Sequence, residues 1–189
     1  MTGGRYIRAG ILFFDVKGYS MLGDIERKYF HNIIMDELYK IIKNTTRRRL
    51  LYMNTWGDGV VLLDYDIETL SYIALKWNEY FINKEYTKID IFKSCVLNSR
   101  ISIHEGEFID ARDPFQNRKG FFGNEIVRAA RLEPITPPGK VWVTEEIKSR
   151  LISRWNNDGR DKVFKFLNRG IVKLAKAFGT ARIYELTRP

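Results

Sequence analysis

The chain has 189 residues, 44% of them hydrophobic and 14% aromatic, which suffices for one compact domain with a sizeable core, so a single catalytic or binding unit spanning 1–189 is expected. Its net charge of +9, from 32 Lys and Arg against 23 Asp and Glu, favours an anionic partner by steering without choosing among nucleotide, nucleic acid and membrane surface. No apolar run approaches the ~20 residues of a bilayer span, and the single cysteine, Cys95, can form neither an internal disulfide nor a clustered zinc site. A cytoplasmic, soluble protein without a membrane partner is expected, with Cys95 a small packing residue.

In chain order, Tyr6 to Phe14 is β-rich, and Asp15 cuts the run Ile11 to Phe14 too short for a signal-peptide core. Ile25, Tyr29, Phe30, Ile33, Ile34, Leu38, Ile41 and Ile42 then recur at helical spacing. After the polar and basic break Asn44 to Arg49, Leu50 to Trp56 and Val60 to Tyr65 read as strands of a hairpin around Gly57-Asp58-Gly59. Ile67, Leu70, Ile73, Ala74, Trp77 and Phe81 predict a second helix. Arg100 to Glu107 alternates like a half-buried strand, and Ile109 to Gly120 reads as a polar loop with Pro114. A third helix over about Asn124 to Leu132 stops before Pro134. A Pro-Pro-Gly turn leads into a short strand, Val141 to Thr144, and the remainder reads as a helix and two strands around Phe164 and Tyr184. The order βαββαβα predicts an α+β sheet layered with helices, without repeats or linkers.

The stretch 13-FFDVKGYS-20 ends an apolar run on a carboxylate followed closely by a glycine turn. A second carboxylate, Asp58, sits at the hairpin tip, and the hairpin's first strand is expected to pair beside the strand that ends at Asp15. The two aspartates would then converge at neighbouring strand ends. Hard cations such as Mg²⁺ or Mn²⁺ take one or two carboxylates plus substrate phosphates. On spacing alone an ordinary turn remains open, because Gly-Asp-Gly is a good turn sequence and Asp15 would suit an exposed one.

Set beside the rest of the chain, 13-FFDVKGYS-20 resembles the first metal-binding motif of class III nucleotidyl cyclases and 54-NTWGDGVVLL-63 their second. The strand 100-RISIHEG-106, the segment 123-GNEIVRAARLEPITPPGKVWVTEE-146 and 174-LAKAFGTARIYEL-186 are similar to later family motifs in the same order. The resemblance covers nearly the whole chain. It implies the cyclase homology fold, a ferredoxin-like βαββαβ core sheet with packed helices, working as a head-to-tail homodimer whose sites are shared between protomers. It implies two Mg²⁺ or Mn²⁺ ions held by Asp15, Asp58 and the carbonyl of Val16, and a triphosphate cradled by backbone amides of Lys17, Gly18, Tyr19 and Ser20. Arg131 from the partner protomer matches the arginine that stabilises the crowded phosphorus, and Lys176 the lysine on the outer phosphates.

The chain also departs from the pattern. The family asparagine before the arginine falls on Val127, with Asn124 and Arg128 as nearby candidates, and the glycine after the lysine is Ala177. The two base-reading positions hold Asn54 and Gly120, so neither purine code is intact, and Tyr52 on the same strand face would fill space that a purine needs. The amide of Asn54 could face uracil or cytosine after a flip. These features make a pyrimidine triphosphate, UTP above all, the expected substrate, with a cytidylate or adenylate cyclase as the alternative. A short cyclase of this kind most resembles the bacterial pyrimidine cyclases of Pycsar anti-phage systems, whose product activates a separate effector.

His104, the run Arg47 to Arg49, and Trp56, Phe121 and Phe122 are expected to be structural, solvated and packing residues respectively. A catalytically dead regulator is a second alternative, and a basic ferredoxin-like nucleic-acid-binding module a third. Against the last, the strand Arg100 to His104 lacks flanking aromatics for stacking, and paired aspartates repel phosphates.

Overall fold

The computed structural model describes residues 5–189; residues 1–4 of the expected single unit lie outside the described residues. The strands are β1 (Arg5–Lys17), β2 (Tyr52–Trp56), β3 (Gly59–Asp64), β4 (Asn98–Asp113), β5 (Arg118–Phe122), β6 (Lys140–Thr144), β7 (Lys165–Lys173) and β8 (Thr180–Thr187). The helices are α1 (Asp24–Tyr29), α2 (Met35–Thr45), α3 (Ile67–Ile82), α4 (Asn124–Leu132) and α5 (Glu145–Asp158). They follow the predicted βαββαβ order. A π-helical turn, Phe30–Ile34, joins α1 and α2, where the sequence periodicity reads as one helix.

One sheet runs in the order β2-β3-β1-β4-β6-β8-β7, with β5 paired to the far end of β4. The first four strands form the expected ferredoxin-like core. β1 leaves through the α1–α2 crossover, β2 lands one strand away, and β3 turns back into the gap between them. The neighbour of β1 is therefore β3, the second strand of the hairpin, and not the first as expected. The crossover handedness and the hairpin together dictate this, whereas spacing along the chain does not.

β1 is buried on both faces because it lies inside the sheet. Leu12, Phe14 and Val16 point into the large core under α2, α3 and α5, and Ile11 and Phe13 point into a smaller core covered by α4. α3 starts cleanly because the Asp66 side chain accepts from the amides of Glu68 and Thr69. The predicted polar loop from Ile109 to Gly120 is instead the outer half of β4 and part of β5, an antiparallel ribbon running from the pair Ile109–Phe122 to Asp113–Arg118. Much of this ribbon projects beyond the sheet into water, so it needs no apolar alternation and its sequence carries none.

Candidate active site

Three segments meet at one end of the α4-covered face: the end of β1, the β2–β3 tip, and the short 3₁₀ turn Glu133–Ile135 that follows α4. Asp15 shares the face of Phe13 by strand alternation, and the Asp58 carboxylate reaches back to accept the Val16 amide at 3.2 Å. The predicted convergence of the two aspartates is thus present. Asp15 is paired with Arg100 of β4 at 3.1 Å, directly opposite in the β1–β4 register. Arg100 also lies 3.8 Å from Glu133.

The electrostatics of this cluster are strained toward negative charge. Burial, and then the neighbouring Asp15, push the Asp58 carboxyl above its ordinary range. Glu133 is raised to about 7, first by burial, then by Asp15, with Arg100 pulling the other way. Arg100 Nε and Glu133 Oε1 are buried without a hydrogen-bond partner. Crowded, partly uncompensated carboxylates with orphaned polar atoms fit a hard divalent cation. Among the described residues no three His, Cys, Asp or Glu side chains form a complete metal cage, so such an ion would draw further ligands from backbone, water or substrate phosphates. Sequence reasoning missed Arg100 and Glu133. Each lies inside a quoted motif, and the signal for Arg100 was its facing position on the strand beside β1.

The turn after β1 is built on Gly18 at φ 99°. A Cβ there would stand 2.3 Å from the Val96 carbonyl oxygen, so only glycine fits. It leads into the 3₁₀ turn Tyr19–Met21, where Met21 donates to the Gly18 carbonyl at 3.1 Å. The Tyr19 ring is spent elsewhere, edge-on to Phe30 with its hydroxyl 2.9 Å from His31 Nε2. Any contribution of Tyr19 to a ligand is therefore through its backbone. Lys17 and Ser20 are exposed.

Arg131 is half-buried and, among the described residues, makes no ion pair or side-chain hydrogen bond, and none joins it to Asp15 or Asp58 of its own chain. Lys176 is exposed in the β7–β8 loop, where both it and Ala177 sit at φ 54°. Ala177 thus adopts the left-handed backbone that the expected glycine would take, at a steric cost of about 1–2 kcal/mol. Of the candidates for the missing asparagine, Arg128 is tied to the Thr180 carbonyl at 2.7 Å, and Asn124 is exposed.

Tyr52 and Asn54 lie on β2, half-buried, with Tyr52 edge-on to Phe121 at 5.5 Å. Gly120 lies close under the Phe122 ring: a Cβ there would stand 3.0 Å from it, a tight contact that the half-exposed ring would relieve by a small shift. Arg118 of β5, which sequence reasoning did not single out, lies across β2: it donates to the Met53 carbonyl at 3.1 Å and to Asn54 Oδ1 at 2.7 Å. His104 is structural as expected. It is buried between Glu125, 2.6 Å from Nε2, and Thr144, 3.0 Å from Nδ1, and burial lowers its pKa. Trp56, expected to pack, is half-exposed beside Phe13. No helix among the described residues is long and apolar enough to cross a membrane.

No protein-family model matches the sequence, and no curated protein matches it. Solved structures do. The adenylyl cyclase CyaB from P. aeruginosa aligns with TM-score 0.78 at 16% identity over 98% of this chain and 97% of that chain. The guanylyl cyclase Cya2 aligns with TM-score 0.72 at 16% identity over 98% and 94%. An adenylate/guanylate cyclase/hydrolase from Silicibacter pomeroyi aligns with TM-score 0.66 at 20% identity over 97% and 98%. Identities this low speak to architecture, and on architecture the alignments run over nearly the whole chain: the chain has the class III cyclase homology-domain fold.

Proposed function

We propose that this protein is a nucleotidyl cyclase that converts a pyrimidine nucleoside triphosphate, UTP by preference, to its 3′,5′-cyclic monophosphate and pyrophosphate. The observation that carries the reading is the convergence of Asp15 and Asp58 at adjacent strand ends beside a glycine-built turn. Asp15, Asp58 and the Val16 carbonyl would hold two Mg²⁺ or Mn²⁺ ions. Ions bound there would supply charge neutralisation at the α-phosphate and a lowered pKa for the ribose 3′-hydroxyl.

The chain's own residues do the rest by positioning. Backbone amides from Lys17 to Ser20 cradle the triphosphate, as turns of this kind do for anions. The 3′-oxygen forms its bond to the α-phosphorus as the bond to the β-phosphate oxygen breaks. Pyrophosphate leaves with the electron pair and the hydroxyl proton passes to solvent. Arg131 of the partner subunit faces the developing equatorial charge, where a planar guanidinium suits several oxygens, and Lys176 of the partner subunit holds the outer phosphates. An unpaired, half-buried arginine that reaches neither aspartate of its own chain supports a site shared across a homodimer.

Tyr52 and Asn54, with side-chain-free Gly120, support a pyrimidine, since no residue at these positions reaches the far edge of a purine and the Phe122 ring lies close beside Gly120. The biological role we propose is production of a second messenger for a separate effector in anti-phage defence. Incubation with UTP, CTP, ATP and GTP at equal concentration with Mn²⁺, followed by mass detection of cyclic monophosphates, tests the enzyme. A dominant cyclic UMP product is expected; a dominant cyclic AMP or cyclic GMP product overturns the pyrimidine assignment, and no cyclic product overturns the cyclase assignment.

A further inference from the structure

Arg118 reaches from the β4–β5 ribbon to the edge of the sheet with every guanidinium nitrogen engaged. Its Nε donates to Gln116 Oε1 at 2.6 Å, one terminal nitrogen to the Met53 carbonyl at 3.1 Å, and the other to Asn54 Oδ1 at 2.7 Å. The guanidinium stands 5.0 Å from the centroid of the Tyr52 ring, so the same side chain touches both β2 residues that face the base in the reading above. An arginine has donors only. Whatever faces it on Asn54 must be the amide oxygen, and the amide nitrogen is then the end left to face a ligand.

We infer that Arg118 is a specificity-positioning residue: by holding Asn54 Oδ1 it fixes the amide with its N–H groups toward the base, and so selects uracil over cytosine. This inference rests on the cyclase reading and deepens it. At the edge where the two bases differ, uracil presents the O4 carbonyl and cytosine a 4-amino group. A fixed N–H donor set against that group pairs with the first and confronts the second with another donor, leaving both donors unpaired. A freely rotating asparagine would accept either base with a half-turn of the side-chain amide. Discrimination therefore resides in the clamp as much as in Asn54. The clamp is itself held: its third hydrogen bond ends on the exposed carbonyl edge of β2, the outermost strand of the sheet.

The test uses the full chain with Mn²⁺ and compares wild type with Arg118→Ala and Arg118→Lys. kcat and KM are measured separately for UTP and CTP, and binding is measured by calorimetry with 3′-deoxy-UTP and 3′-deoxy-CTP, which lack the attacking hydroxyl. In wild type, UTP is expected to exceed CTP in kcat/KM. In Arg118→Ala the UTP/CTP ratio should fall at least about tenfold, carried by KM rather than kcat, with the binding ratio of the two analogues falling in parallel. Arg118→Lys keeps one donor for Asn54 Oδ1 and should retain an intermediate ratio. If wild type makes cyclic CMP in preference, or if Arg118→Ala slows both substrates alike at an unchanged ratio, the positioning role is overturned while the cyclase stands. If wild type cyclises none of the four triphosphates, the cyclase reading falls and this assignment falls with it.

Discussion

Asp15 and Asp58 solve their mutual repulsion by different means, the first with the Arg100 guanidinium at 3.1 Å and the second with the Val16 amide at 3.2 Å plus a raised pKa. Removing either carboxylate relieves repulsion, so neither Asp15→Ala nor Asp58→Ala should unfold the protein. Each should lower cyclisation at least about a thousandfold, the rate cost of losing several kcal/mol of charge stabilisation at phosphorus. Product assay beside a thermal unfolding curve separates the two effects, and near wild-type turnover in both variants would dismiss the assigned site. Glu133 makes a sharper pH prediction. Its folded pKa of about 7 lies above the ordinary 4.5, so the folded state favours the neutral acid. That preference stabilises fully below pH 4.5 and is lost as pH climbs through about 7. In metal-free buffer, Glu133→Gln should therefore be more stable than wild type by about 1–2 kcal/mol at pH 8 and indistinguishable from it at pH 4. Denaturant melts at the two pH values decide it.

Among the elements, the turn between β1 and α1 is the least tolerant. A methyl group at Gly18 meets the Val96 carbonyl oxygen and a positive φ together, so Gly18→Ala should cost about 2–3 kcal/mol and displace the amides of Tyr19 and Ser20. Loss of activity larger than the loss of folded protein is the expected result, read by comparing specific activity with unfolding midpoint. The helices were legible in the sequence because each has one buried face, and the inner strands β1 and β3 because they are short apolar runs buried on both. The spacing of Leu38 and Ile42, or of Leu70, Ile73 and Trp77, records which side meets the sheet. Two elements were not. The Asp110 to Lys119 ribbon has no core to face, so its residues alternate nothing. The place of β3 beside β1 depends on a crossover that leaves no mark on residue order. The candidate site divided in the same way: the approach of Asp58 to the end of β1 could be anticipated from the motifs, whereas Arg100, Glu133 and Arg118 become visible only when distant strands meet.

For the whole molecule, the proposed sharing of the site between two protomers predicts complementation. Asp58→Ala and Arg131→Ala should each be inactive alone. Mixed under conditions that permit subunit exchange, they should recover activity, since one site of the mixed dimer carries both lesions and the other neither. A mixture that stays inactive although exchange is demonstrated would rule out sharing. The sheet topology bears on the birth of the protein as well. β1 is synthesised before both strands that flank it, β3 and β4, and its contact with the far strand spans as much as 105 residues, from the Arg5 amide to Asp110. A nascent chain halted after β3 already holds both aspartates and the strands that bring them together, but not yet Arg100. The acidic pair is thus assembled before its counter-charge, and the apolar β1 has one open edge for as long as translation takes to deliver β4. That interval is when this chain is most exposed to pairing with another copy of itself, and slower synthesis through the segment before β4 should lower soluble yield without altering the finished protein.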